Sequence, residues 1–282
     1  MIRARHLVPL LTALCLASGA ARAGGTPRPI VVELYTSQGC SSCPPADAIL
    51  GRLAQRPGVI AISLPITYWD MLGWKDSLAS EANTRRQKAY AAAMGHGGVY
   101  TPQIIVDGVA DVVGSRAGNI EMAIADRRAQ LALPGIVRDV SGDVDRARDA
   151  ANGFRVALAM PPTLPDPVVP VAVSESPDEM RIDIGSAPGI DNATVWMFHL
   201  RSSVSVNVAR GENAGHTITY HNVAADLKAV GVYRGKALYL TLPRAAMNGL
   251  AHDGIAIVVQ RGGYGHVLGA AYLSRPDYYA QQ

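Results

Sequence analysis

The sequence predicts two domains: an α/β domain with a mixed sheet and flanking helices, then an antiparallel, sandwich-like β domain. Three observations carry this. Strand-like and helical runs alternate from residue 30 to residue 131. Beyond residue 135, Pro161, Pro162, Pro165, Pro167, Pro170, Pro177 and Pro188 leave no room for a long helix. Cys40 and Cys43 form a C-x-x-C directly after the first strand-like run and directly before the first helical one, a placement that reads as redox chemistry.

The elements follow in order. Ile30 to Tyr35 is β-branched and apolar, a buried strand. Cys43 to Gln55 places Ala46, Ile49, Leu50 and Leu53 on one helical face, and Pro57-Gly58 ends it. Val59 to Leu64 is a second buried strand. Ser80 to Met94 is helical, with Ala82, Arg86, Ala89, Tyr90 and Ala93 on a stripe, until Gly95, Gly97 and Gly98 break it. Gln103 to Val106 and Val109 to Val113 form a hairpin about Asp107-Gly108, and Ser115 to Leu131 is a last helix. Strand, helix, strand, helix, hairpin, helix is the order of a thioredoxin-like domain, here over residues 24–135. The crossover rule makes its first two strands parallel, and the hairpin makes the sheet mixed. Residues 136–282 form the β-rich domain. There Trp196, Phe198 and Leu200 share one face of a strand-like run, and so do Leu238, Leu240 and Leu242.

Residues 1–23 read as a cleavable export signal. Arg3, Arg5 and His6 precede an apolar stretch from Leu7 to Ala17, and Ala21-Arg22-Ala23 is a small-x-small cleavage site. The apolar stretch is too short to span a bilayer, which takes roughly 20 residues. Export places the chain in the periplasm or outside the cell, where disulfides persist. The third cysteine, Cys15, leaves with the signal. So do Arg3, Arg5 and Arg22, which account for the excess of 26 basic over 23 acidic residues, and the exported chain is formally neutral. No basic field remains to bind nucleic acid, and no membrane association is expected after cleavage.

In thiol–disulfide exchange, an exposed thiolate attacks and a second, more buried thiol resolves the mixed disulfide. Cys40, near the helix start, takes the first role and Cys43 the second. A structural zinc half-site or an inert disulfide are the alternatives. Zinc requires about four ligands, and no second C-x-x-C stands in the chain. A loop this short removes little chain entropy, which makes a poor structural staple. Thr101-Pro102 precedes the third strand. In a thioredoxin-like fold a proline there is cis, packs on the cysteine pair and leaves the Thr101 backbone free for a substrate strand. Glu33 lies inside an apolar strand seven residues before Cys40, near where thioredoxins keep a buried acid that handles the second cysteine's proton; a water-facing Glu at the strand edge is the alternative. Tyr68 and Trp69 open an aromatic loop that either walls a substrate groove or folds onto the core. His96, among glycines, is a weak candidate copper ligand. His216 and His221, five apart, point to opposite faces of a strand and so away from a shared metal. Arg261-Gly262-Gly263-Tyr264-Gly265 reads as a hairpin turn. No cofactor or metal is expected.

The segment Val31-Val-Glu-Leu-Tyr-Thr-Ser-Gln-Gly-Cys40-Ser-Ser-Cys43-Pro-Pro-Ala-Asp47 resembles the hallmark of a family of secreted bacterial proteins labelled domain of unknown function 1223, regarded as thioredoxin-like. Tyr68-Trp69-Asp70, Leu72-Gly73-Trp74-Lys75-Asp76, Val99-Tyr100-Thr101-Pro102-Gln103 and Val106-Asp107-Gly108 look like its later blocks. Arg210-Gly211-Glu212-Asn213-Ala214-Gly215 and Tyr220-His221-Asn222-Val223 resemble a block of its C-terminal half. Family members often carry a His and an Asp just before the Tyr-Trp-Asp, where this chain has Leu64-Pro65-Ile66-Thr67. The resemblance implies the fold and is silent on activity. The function expected is an exported thiol–disulfide oxidoreductase acting on protein or small-molecule thiols and disulfides. Its alternatives are a carrier whose Cys40 and Cys43 hold Cu(I), or an interaction protein working through its β domain. Nothing in the sequence sets an oligomeric state.

Overall fold

A computed structural model of the chain describes residues 28–132, 167–243 and 253–274. The expected export signal and the boundary near residue 135 lie outside them.

The first half follows the sequence closely. Strands β1 (Ile30–Thr36) and β2 (Val59–Pro65) pair in parallel, with Ile30 opposite Val59 and Thr36 opposite Pro65. Helix α1 (Pro44–Ala54) crosses between them, started by two prolines whose fixed φ suits a first helical turn. Helix α2 (Glu81–Ala93) begins on Ser80, whose side chain accepts the Asn83 N–H. Strand β3 (Gln103–Val106) pairs antiparallel with β1 and turns through Asp107-Gly108, both at positive φ, into β4 (Ala110–Val113). Helix α3 (Ala117–Ala132) closes this half.

Alternation along β1 sorts the helices. Ile30, Val32 and Leu34 face α1 and α3, meeting Ala46, Ile49, Leu50, Leu53, Ile120 and Ile124. Val31 and Tyr35 face the other way, toward Tyr90 of α2. Of the stripe expected on α2, Arg86 and Tyr90 are buried, while Ala82 and Ala89 are half-buried and Ala93 is exposed. Asn83, Thr84, Arg86, Gln87 and Tyr90 turn inward, because polar partners wait there: Asn83 donates to the Pro65 carbonyl at 3.0 Å and Gln87 to the Tyr100 carbonyl at 2.8 Å.

The second half contains β5 (Val171–Glu175), β6 (Glu179–Ile184), β7 (Ala193–Asn207), β8 (Thr217–Tyr233), β9 (Leu238–Pro243), β10 (Gly254–Arg261) and β11 (Val267–Ser274). The expected independent sandwich takes a different form. Four of these strands extend the first sheet, giving the eight-stranded order β11-β10-β7-β8-β2-β1-β3-β4, while β5, β6 and β9 make a separate antiparallel sheet. The small sheet packs Met180, Ile182 and Ile184 against Val195, Met197, Ile255, Ile257 and Val259 of the large one. Face-to-face packing is present, but one layer is continuous with the α/β half. The junction is narrow. One bridge joins Ser63 of β2 to Val223 of β8, and Asn222, at φ +48°, donates its side-chain amide to the Ala61 carbonyl at 2.9 Å. Asn tolerates that left-handed conformation better than most residues.

Strands β7 and β8 form a hairpin of 15 and 17 residues. At about 3.3 Å per residue its arms reach roughly 50 Å. Its tip, residues 208–216, reaches the segment that follows β1, where the cysteines lie.

Candidate functional site

The segment leaving β1 bends through Ser37, Gln38 and Gly39 before the helix begins. The Cys40 N–H bonds the Ser37 carbonyl, and the Cys43 N–H bonds the Cys40 carbonyl. Cys43 is the N-cap of α1 and already has helical dihedrals, and its carbonyl accepts from Ala46 and Asp47. Cys40 and Cys43 are joined by a disulfide, with Cα atoms 5.4 Å apart. Ser41 and Ser42 between them are exposed, and the Ser42 hydroxyl lies 3.4 Å from the Cys40 sulfur.

Cys40 is not the exposed sulfur that the sequence suggests. Both cysteines are 0% exposed. The cover is the β7–β8 tip. Asn213 is buried there, and its amide donates to the Gln38 and Cys40 carbonyls at 2.9 Å each. Glu212, on the surface, accepts the Ser41 N–H at 2.9 Å; hydrogen bonds from Ser41 hold its carboxyl below the ordinary value. Gly211 and Gly215 flank this contact at φ +83° and +82°, values that require glycine.

A second brace comes from residues 68–78. Trp74 donates its indole N–H to the Gln38 side chain at 2.8 Å, and Asp76 accepts the Gln38 N–H at 2.8 Å. Trp69 lies so close to Gly39 that a Cβ there would sit 3.3 Å from the Trp69 Cβ. Its indole donates to the Thr101 hydroxyl at 2.8 Å. Thr101 and Pro102 are joined by a cis peptide bond. Pro102 shares the space around Gly114 with Leu34 and Ala46, one turn beyond Cys43. Tyr68 is half-buried facing Gln87 and Thr101, and burial pushes its hydroxyl up to about 12. Gly39, Trp69, Leu72, Trp74, Gly211 and Glu212 enclose a pocket of about 400 Å³ beside the disulfide. Met71 and Leu72 stand exposed on its rim.

The structure therefore brings Cys40, Cys43, Trp69, Thr101 and Pro102 into one neighbourhood, with Tyr68 at its edge. It leaves Glu33 out. Glu33 shares the Val31–Tyr35 face of β1, away from α1, and there it binds the Arg86 guanidinium at 2.6 and 2.9 Å, the Tyr90 hydroxyl at 2.7 Å and the Tyr35 hydroxyl at 3.1 Å. Arg86 lies among the rings of Tyr90, Trp196, Phe198 and Tyr264. Glu33 is thus a partner in a buried ion pair that ties α2 to the C-terminal strands.

The acid on the cysteine side of the sheet is Asp47, which the sequence reading passed over. It is 3% exposed, one helical turn after Cys43. The Thr36 hydroxyl faces it, yet neither group closes a hydrogen bond of normal geometry. Burial pushes the Asp47 carboxyl well above the ordinary range, and the nearby Asp76 adds to the rise. Its spacing from Cys43, i and i+4 on one helix, was the signal available. His216 and His221, expected on opposite faces, both line a cleft of about 790 Å³ between α1 and β8, because His216 precedes the strand. His96 pairs with Asp111 at 3.1 Å. Among the described residues no three His, Cys, Asp or Glu side chains converge as a metal site.

With this arrangement in view, the chain can be placed among known proteins. The family model described as "Protein of unknown function (DUF1223)" matches residues 31–160 and 134–260, and the chain belongs to that family. The crystal structure of protein AGR_C_4864 from Agrobacterium tumefaciens is similar at 31% identity and a TM-score of 0.65, over 88% of this chain and 95% of that one. HBP35 of Porphyromonas gingivalis is similar in fold alone, at 10% identity and a TM-score of 0.50, over 89% of this chain and 76% of its own. No curated protein matches the chain. The parts that build the site fall inside the matched residues: Gly211 to Gly215 is the cover, Leu72 to Asp76 the brace, and Asn222-Val223 the junction of the two halves.

Proposed function

We propose that this chain is an exported thiol–disulfide oxidoreductase on a thioredoxin-like scaffold, exchanging its Cys40–Cys43 disulfide with protein or small-molecule thiols. One observation carries the reading: the disulfide links the turn after β1 to the N-cap of α1. Opening it leaves thiolates where unpaired backbone N–H groups and the helix dipole favour negative charge. The β1–α1–β2 crossover, α2, the β3–β4 hairpin and α3 are the parts of a thioredoxin-like domain, with the Thr101-Pro102 loop beside the cysteines.

A substrate sulfur must approach Cys40 in line with the S–S bond. The β7–β8 tip covers the backbone that carries Cys40, and on this reading Glu212 and Asn213 move aside before exchange. The exposed Met71 and Leu72 and the partly buried Trp69 and Trp74 then offer an apolar wall for the chain that carries the reacting sulfur. Residues Cys40 and Cys43 do the chemistry; Tyr68, Trp69, Thr101 and Pro102 position the substrate.

The test is partner trapping. Cys43→Ala cannot resolve a mixed disulfide, so Cys40 should accumulate covalent partners in the exported fraction, released by reductant. Purified reduced and oxidised protein should also turn over a dithiol–disulfide pair, and Cys40→Ser should not. A Cys43→Ala protein that gathers no partner, together with an absence of turnover, sinks the reading; tight retention of stoichiometric Cu(I) by the reduced pair would put a carrier in its place.

A further inference from the structure

Asp47 has no place in the chemistry above, yet it is the least explained group near it. A buried carboxyl without a hydrogen bond is costly, whichever protonation state it adopts. Its surroundings offer nothing to neutralise it. From β1 it meets the Thr36 hydroxyl, from the segment after β2 the Asp76 carboxylate, and from β8 the Tyr220 phenol, which is itself without a hydrogen bond. Among the described residues no cation pairs with it: Arg52 on its own helix donates instead to the Ala48 carbonyl at 3.3 Å.

Two geometric facts give it a use. Cys43 and Asp47 are one turn apart on a helix that is regular from Cys43 onward, since the Asp47 N–H bonds the Cys43 carbonyl at 3.1 Å. Side chains at that spacing are neighbours, about 5–6 Å between Cβ atoms. Asp47 also lines the cleft between α1 and β8, along with Ser41, Glu212, His216 and His221. The group thus sits at helical-neighbour spacing from the buried Cys43 on one side and on the wall of a cleft open to solvent on the other, a cleft bounded at one end by Ser41, Glu212 and Asn213.

We propose that Asp47 is the proton partner of Cys43, and that the α1–β8 cleft, with His216 and His221 on its walls, is the route by which that proton exchanges with solvent. The proposal rests on the disulfide being exchange-active. The step balances as follows. A substrate thiolate attacks the Cys40 sulfur, the Cys40–Cys43 bond breaks, and a substrate–Cys40 disulfide forms. Cys43 leaves with the bonding electron pair and takes the proton of the Asp47 carboxylic acid, leaving a carboxylate. A second thiolate of the same dithiol then displaces Cys40 as thiolate, so the substrate dithiol is oxidised and the protein disulfide reduced. In reverse, the Asp47 carboxylate removes the Cys43 proton as Cys43 attacks the mixed disulfide on Cys40. Burial raises the Asp47 carboxyl above its ordinary value, the direction that favours the proton donor this assignment needs.

The experiment loads Cys40 of the reduced full chain with 5,5′-dithiobis(2-nitrobenzoate) and follows the second aryl thiolate, released when Cys43 attacks. Asp47→Asn keeps the shape and removes the proton transfer. The release at pH 7 should fall by about 10²-fold, within what general acid–base catalysis supplies. It should then climb about tenfold per pH unit toward the thiol's own ionisation, at about 8.5 or above. The first reaction, at Cys40, should keep its rate. An Asp47→Asn protein with the wild-type pH profile overturns the proposal. If that variant does not fold, carboxyl-carbon NMR of Asp47 in the wild-type chain decides. Its titration must shift between the oxidised and reduced protein, and an unchanged titration overturns the proposal equally. Both readouts are internal to the chain. A protein that turns over no thiol substrate but keeps an Asp47-dependent second release would sink the oxidoreductase reading and leave this one standing.

Discussion

Asn213 holds the carbonyl of Cys40, and that of Gln38, on the two hydrogens of one side-chain amide, at 2.9 Å each. The residues are 173 apart in sequence, and the disulfide beside the contact is fully buried. A loop distant in sequence therefore lies against the segment that carries the cysteine pair.

Asn213→Ala is expected to speed reduction of the disulfide by a small phosphine several-fold. The lost bonds leave carbonyl groups wanting a donor, so stability should drop by about 1–3 kcal/mol. Glu212→Gln, changed at a surface contact, should do less on both counts. Stopped-flow reduction and thermal melts measure the pair of effects. Unchanged reduction in Asn213→Ala would mean that the tip does not control access.

The Glu33–Arg86 pair is predicted to be structural. Both side chains are 1% exposed, and removing one partner strands the other's charge in the interior. Arg86→Met should cost about 3–5 kcal/mol by denaturant unfolding. Combining it with Glu33→Gln should recover part of that loss, because no charge is then left unpaired. The rate of disulfide reduction should be unchanged in whichever variant folds; a redox effect from Glu33→Gln would return this residue to the chemistry.

How far the sequence could be read follows from the range of each signal. Strand and helix periods are local, and β1, α1, β2, β3 and α3 fell within two residues of their expected limits. The cysteine motif and Thr101-Pro102 are local too. Partner choice is not. Leu200 and Leu238 alternate in the same way, but one strand joins the large sheet and the other the small one, and only tertiary packing separates them. Glu33 is buried, one of the two settings its place in an apolar strand allows, but it shares the face of Val31 and Tyr35; which face of β1 meets α1 is a tertiary fact, because both are apolar. Asn213 gave no warning, since a polar residue between glycines looks like any exposed loop until its partners 173 and 175 positions away are known.

Gly51 of α1 lies against His221 of β8. A Cβ at that position would lie 2.5 Å from Cδ2 and 2.8 Å from Nε2 of His221. Alanine favours a helix by up to about 1 kcal/mol over glycine. Overpacking costs about 1–3 kcal/mol, so the clash wins and Gly51→Ala should lower stability. The same change made in a His221→Ala background should be neutral or stabilising. Melting temperatures of the four proteins in this cycle test it, and a loss that persists without His221 would refute the contact as the cause.

Cys40→Ser should leave the fold intact while ending disulfide exchange. The closed loop spans a sequence separation of 3. Chain-entropy arguments give such a loop about 2 kcal/mol, less than longer loops supply. Circular dichroism and unfolding of the variant measure this, and failure to fold would make the pair a structural staple.

The pH dependence of stability follows from Asp47 and Asp76. Burial raises both carboxyls above their ordinary value, the Asp76 rise being opposed by the N–H groups of Gln38 and Leu78. In the unfolded chain each titrates near about 3.9. Between that value and the raised one, the folded protein binds more protons than the unfolded one. The slope of unfolding free energy with pH is set by the unfolded minus the native proton count, so it is negative in this window. These two groups therefore contribute most favourably below about pH 4, and stability is lost as pH rises through the folded-state values. Asp47→Asn removes its share. Against the wild type in the oxidised form, the variant should melt higher at pH 7, and the difference should shrink steadily toward pH 4. A difference independent of pH, or a variant that melts lower at pH 7, would show that the Asp47 carboxyl is not held protonated by its burial.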